Sequence, residues 1–222
     1  MADVWKIAAQ KSATDLYNEK IGGWCFTSDI MKAERLTSMC NQMSNTYDQI
    51  IDDQNDYEME IDAQLEEIET LKKDLEEKIQ AQEAERQKIL KTAGNDGLTK
   101  EDESKIQTID AEIASLNGDT NSKISAIGSK VDDTSSKEKD NASKAEIATD
   151  YGETAIEKGT PLANTKDKRK SFWRKLSGSW NKAATRKAGN DAIDAGNNLL
   201  EKVATTSKNE ATIIKKTKAV KQ

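Results

Sequence analysis

From residue 29 to about 93, apolar side chains return at alternating steps of three and four. Leu36, Cys40, Met43, Tyr47, Ile50, Tyr57, Ile61, Ile68, Leu71, Leu75 and Ile89 fall on the a and d positions of a heptad, and Leu65 and Ile79 widen the stripe. Sixty helical residues span about 90 Å, so the pattern predicts a stalk. Gln54, Gln64 and Gln82 interrupt the stripe, which lowers stability and favours a single register. Gly94 and Gly97 stop this helix, and the T-x-x-D pattern from Thr99 to Asp102 starts another. Ile106, Ile109, Ile113, Leu116, Ile124, Ile127 and Val131 repeat the same spacing. A short turn between two such stripes predicts an antiparallel helical hairpin with its tip near residues 94–98. The expected seam sets Ile106, Ile109, Ile113 and Leu116 against Ile68, Leu71, Leu75 and Ile79.

Other punctuation is local. Residues 2–20 read as one short helix, broken by Gly22-Gly23, and Thr27, Ser28 and Asp29 offer N-caps for the next. Asn117-Gly118-Asp119 predicts a kink in the returning arm. The run 132–141 has no apolar group, so the arm there is expected to be exposed, frayed or bowed outward. Lys158-Gly159-Thr160-Pro161 reads as a helix stop, with a linker from 159 to 170. From Ala188 to about Lys216 a weaker helical stripe returns.

The ten large aromatic rings of Trp, Tyr and Phe lie before residue 58 or after residue 150. Folding the chain about residue 96 gathers them. The predicted fold is therefore all-α: a long antiparallel helical hairpin, coiled-coil-like, spanning 28–158, with a small helical base formed by residues 1–27 and 171–222.

Composition narrows the picture. Hydrophobic residues are 35% and charged residues 33% of the chain, too few apolar groups for one large round core. The N-terminus has no apolar block of signal-peptide length, and no run is long enough for a membrane span. A protein that is cytoplasmic, or exported without a cleaved signal, and not transmembrane is expected. Cys25 and Cys40 read as structural thiols: a helix from Ser28 carries Cys40 about 18 Å away, while three extended residues reach back only about 11 Å.

Charge is segregated. Residues 166–187 hold six Lys, three Arg and one Asp, whereas 48–69 contain ten acids and no base. Within the basic segment Phe172, Trp173, Leu176 and Trp180 share one helical face, and Arg174, Lys175, Lys182 and Arg186 share the opposite one. That pattern suits a helix packed into the base, and it also suits one lying on an anionic membrane surface. The acidic field of the whole chain argues against nucleic acid. A third expectation sets Lys168, Arg169 and Lys170 against the acidic run, where like charges at i,i+4 destabilise an isolated helix.

The chain has no His, and it has no zinc-type cysteine spacing and no phosphate-binding or nucleophile motif. No enzyme activity, metal or cofactor is expected. In length and composition the chain resembles helical, cysteine-poor proteins that bacteria export without a cleaved signal, such as tip and translocator components of contact-dependent secretion systems. The likeness lies in overall composition and assigns no residues. The expected function is that of a non-enzymatic coiled-coil interaction or assembly protein, a helical spacer or scaffold that meets a protein partner or a second copy through its heptad seam. The alternative is a peripheral binder of anionic membranes through 166–187.

Overall fold

The computed structural model describes residues 2–19, 28–94, 97–165 and 182–220. Among these there is no strand. The chain forms α1 (Ala2–Gln10), α2 (Ala13–Asn18), α3 (Ser28–Ala93), α4 (Lys100–Ala163) and α5 (Lys182–Val220), an all-α helical hairpin in which α5 packs alongside the two long arms. Contacts divide it into two compact units, one of residues 1–56 with 137–212 and the other of 57–136 with 213–222.

In the first unit α1, α2 and the adjoining parts of α3, α4 and α5 share one core. Leu36, Cys40, Met43 and Tyr47 of α3 meet Ala148, Tyr151 and Ala155 of α4 and Leu199 of α5, all fully buried. Val4, Ala8, Ala13 and Leu16 close it from the N-terminal helices. Four of the expected rings do gather here: Tyr47 and Tyr151 inside, with Trp5 and Tyr17 against them. Trp5 meets Tyr47 edge-on, its indole N–H donating to Thr46 Oγ1 over 3.3 Å. Trp24, Phe26, Phe172, Trp173 and Trp180 lie outside the described residues, as does the Gly22-Gly23 break.

The N-terminal segment is two helices, not one. Ser12 adopts an extended backbone and accepts a hydrogen bond from the Asp15 N–H, as an N-cap does. Two contacts from α4 hold the break: the Tyr151 hydroxyl donates to the Lys11 carbonyl at 2.8 Å, and the Asp150 carboxylate accepts from the Ala13 N–H at 2.9 Å. Tertiary hydrogen bonds here override an otherwise continuous local pattern.

The contact of α4 with α5 rests on glycine. A Cβ on Gly196 would come within 2.6 Å of the Gly152 carbonyl oxygen, and one on Gly159 within 2.7 Å of that of Gly189. The helices therefore approach antiparallel, backbone against backbone, at two rungs seven residues apart on each. Ala33, Ala188 and Ala192 continue the small-residue packing. This corrects the expected stop at Gly159: α4 runs on through Pro161 to Ala163, so 159–163 is helix and not linker. Gly159 lets α5 close in, and the helix carries Pro161 with one hydrogen bond left unmade.

In the second unit the chain reverses direction between α3 and α4. Gly94 and Gly97 have φ of 51° and 79°, the left-handed region that costs other residues energy. Thr99 Oγ1 accepts from the Asp102 N–H, and the Asp102 carboxylate accepts from the Thr99 N–H, both at 3.1 Å, so the expected cap forms. The Thr99 hydroxyl, which donates to the Asp102 carboxylate at 2.6 Å, and after it the Thr99 N–H hold that carboxyl below its ordinary pKa. The α4 helix is unbroken at Asn117-Gly118-Asp119 and along 132–141, where fraying had been one expectation.

The register of the hairpin differs from the expected seam. Gln82 pairs with Glu112 at 2.6 Å and Arg86 with Asp110 at 3.4 Å. Ile68 and Leu71 pack with Ile127 and Ile124 rather than with residues 106–116. The cause is the position of the turn: reflection about residues 94–99 brings the 80s opposite the 110s. Ile213 and Val220 of α5 complete this cluster with Ile61 and Val131.

Candidate functional site

Of the basic aromatic segment, Phe172, Trp173, Arg174, Lys175, Leu176 and Trp180 lie outside the described residues; Lys182 opens α5. Arg186 has a defined place. Its Nε and Nη2 donate to the Thr165 carbonyl at 3.2 and 3.1 Å, so the guanidinium caps the chain end of α4. Lys187, next to it, pairs with Asp191.

The acidic run of α3 finds its cations on α5. In the first unit Lys202 reaches Asp48 at 2.6 Å, and in the second Lys216 bridges Glu58 and Asp62, each at 2.7 Å. Hydrogen bonds to Asp62 and Glu58 raise the Lys216 pKa. Lys168, Arg169 and Lys170, expected in this role, fall outside the described residues. Both lysines that play it sit in a stripe the sequence marks only as weakly helical.

Two interrupting glutamines are buried. In the first unit Gln54 is 1% exposed, and its Nε2 donates to the Thr206 carbonyl at 3.2 Å. In the second, Gln64 is 8% exposed and hydrogen-bonds Glu60. Cys40, a buried free thiol, donates to the Tyr151 carbonyl over 3.5 Å, and desolvation pushes its pKa up to about 12. Burial likewise raises the Tyr47 hydroxyl, which has no hydrogen-bond partner. Such a thiol is held neutral and serves packing.

Toward its turn the hairpin leaves several positions of the apolar stripe open. Leu71, Leu75, Ile79 and Ile89 on α3, and Ile106, Ile113 and Leu116 on α4, are only half-buried, whereas Ile61, Ile68 and Ile127 beside α5 are buried. Leu90 and Leu98, flanking the turn, are 39% and 40% exposed. A shallow groove of about 400 Å³ lies between the arms, lined by Lys78, Ala81, Gln82, Glu112, Ser115 and Leu116. Its lining is mixed: small side chains, one large apolar group and polar groups from both arms, Gln82 and Glu112 being hydrogen-bonded to each other.

A second cleft, of about 330 Å³, lies in the first unit, with Leu16 and Met39 as floor and Ile7, Lys11, Glu19 and Arg35 around it. Glu19 accepts from Lys11 at 2.8 Å and Arg35 at 2.9 Å; these bonds, Lys11's first, lower its pKa and tie the rim charges to one another.

The glycine rungs were legible and missed: Gly152 and Gly159, like Gly189 and Gly196, are spaced by one heptad. Among the described residues no group of three or more His, Cys, Asp or Glu side chains could hold a metal ion. None of the described helices is long and apolar enough to cross a membrane. Compared with protein-family models, with curated proteins and with solved structures, the chain finds no match.

Proposed function

We propose that the chain is a non-enzymatic helical assembly protein that works by presenting the hairpin of α3 and α4 to another polypeptide. The observation that carries this reading is the change in burial along the hairpin. Where α5 lies against it, Ile61, Ile68 and Ile127 are buried; toward the turn Ile109 is buried too, but Leu75, Ile79, Ile89, Ile106, Ile113 and Leu116 stay half-open, and Leu90 and Leu98 stand exposed. A partner helix laid on that stretch would bury apolar surface at about 25 cal/mol per Å² without remodelling either arm. The hairpin then acts as a coiled-coil scaffold element.

Site-specific photo-crosslinking tests it. A photoreactive residue at position 90, 98 or 116 should yield covalent adducts with a polypeptide in cells that make the protein. The same group at Glu77, which is exposed, should yield few. Equal labelling at all four positions, or none at any, would remove the reading.

A further inference from the structure

The two arms of the hairpin differ in charge as well as in sequence. On α3, residues 86–91 carry Arg86, Lys88 and Lys91 and no acid; on α4, residues 101–112 carry five acids and one Lys. The groove between the arms repeats the asymmetry, with Lys78 on its α3 rim and Glu112 on its α4 rim. On its floor Ala81 and Ser115 are small and leave Leu116 as the one large apolar group. In the same unit Ile213 and Val220 already seat α5 on this pair of helices, against Ile61, Ile68, Ile127 and Val131.

We propose that the occupant of the groove is a second copy of this chain, packed side by side with the two hairpin tips together and α3 of each copy beside α4 of the other. A surface that meets itself about a two-fold axis must be self-complementary. Here it is: Lys78 of one copy faces Glu112 of the other, and the basic end of α3 faces the acidic start of α4, each contact occurring twice. The opposite rims guide the pairing, and the small floor lets the helices close to contact. The inference rests on the reading of the hairpin as the contact element, and it names the partner.

Sedimentation of the full chain over roughly 1–100 μM tests it. A reversible monomer–dimer equilibrium is expected. Ala81→Arg, which projects a long cation from the exposed floor, should weaken the dimer at least about tenfold while leaving the helical circular dichroism unchanged. Lys78→Glu and Glu112→Lys should each weaken it about tenfold, and the two together should return it to within about twofold of wild type. That rescue is a result no folding defect produces. A chain monomeric throughout overturns the inference, as does a dimer indifferent to Ala81→Arg, or a double variant no tighter than the singles. A monomer whose positions 90, 98 and 116 still crosslink to a different polypeptide overturns it while the reading of the hairpin as a contact element stands.

Discussion

Replacing Gly196 by Ala isolates the backbone contact between α4 and α5. The new Cβ would sit 2.6 Å from the Gly152 carbonyl oxygen and 2.9 Å from Ile156 Cγ1. Ordinary van der Waals contact begins near 3.4 Å, and a helical carbonyl cannot rotate away. The helices must therefore separate by most of an ångström, which loosens the neighbouring buried contacts of Ala155 and Leu199. Overpacking of this kind costs about 1–3 kcal/mol, and a backbone obstacle places it at the upper end. Ala is about 1 kcal/mol better than Gly inside a helix, so the net loss is about 2 kcal/mol. For a chain of this length the midpoint of thermal unfolding should then fall by about 4–8 °C. Gly118→Ala is the control: it too lies within a helix, and a Cβ there meets nothing within 4 Å. It should raise the midpoint by about 2–4 °C from the same helix preference. Far-ultraviolet circular dichroism on both variants and wild type reads the difference directly. Should Gly196→Ala stabilise as Gly118→Ala does, the close approach of the two helices is wrong.

Other outcomes follow from individual contacts. Tyr151→Phe removes the hydroxyl that donates to Lys11 at 2.8 Å; about 1 kcal/mol should be lost, and the amides of α1 and α2 should exchange faster while those of the hairpin turn do not. Cys40 has its folded-state pKa raised by burial from 9.0 to about 12, so its contribution to stability is complete below the ordinary thiol pKa and is lost as pH rises from there through the raised one. In a Cys25→Ser background the native thiol should therefore resist a disulfide reagent at pH 8 until the chain unfolds; prompt labelling would contradict its burial. Lys216→Met keeps the apolar stem but removes both ion pairs to Glu58 and Asp62. Added salt should lower the unfolding midpoint of wild type more than that of the variant, and equal shifts would show that the pairs contribute nothing.

What the sequence revealed, and what it hid, divides along physical lines. The hairpin was legible because its signals are local and repeat: the heptad through α3, glycines where φ must be positive, and the Thr99–Asp102 cap. The register was not read correctly, because apolar spacing is the same at every heptad and only the turn decides which residues meet. Gly159 illustrates a second limit. Next to Pro161 it satisfies every local rule for ending a helix, yet a partner 30 residues downstream recruits it into a helix–helix contact. The break at Ser12 likewise depends on Tyr151 and Asp150, far along the chain. Along the hairpin the apolar stripe was legible, but not that α5 covers one stretch of it and leaves the other open. Among the described residues Lys202 and Lys216 reach the acidic run because α5 runs parallel to α3, whereas Lys168, Arg169 and Lys170, where its cations were expected, lie outside them.

Rungs repeated once per heptad behave like the marks of a vernier: more than one setting lines up. A slide of α5 by seven residues, about 10.5 Å, would bring Gly189 opposite Gly152 and still leave two glycines face to face. What penalises that misalignment is polar. Asn209 would replace Lys216 between Glu58 and Asp62, leaving two neighbouring carboxylates without their cation, and Ala195 would replace Lys202 beside Asp48. The lysines of α5 thus act as the detent that picks one of two nearly equivalent settings.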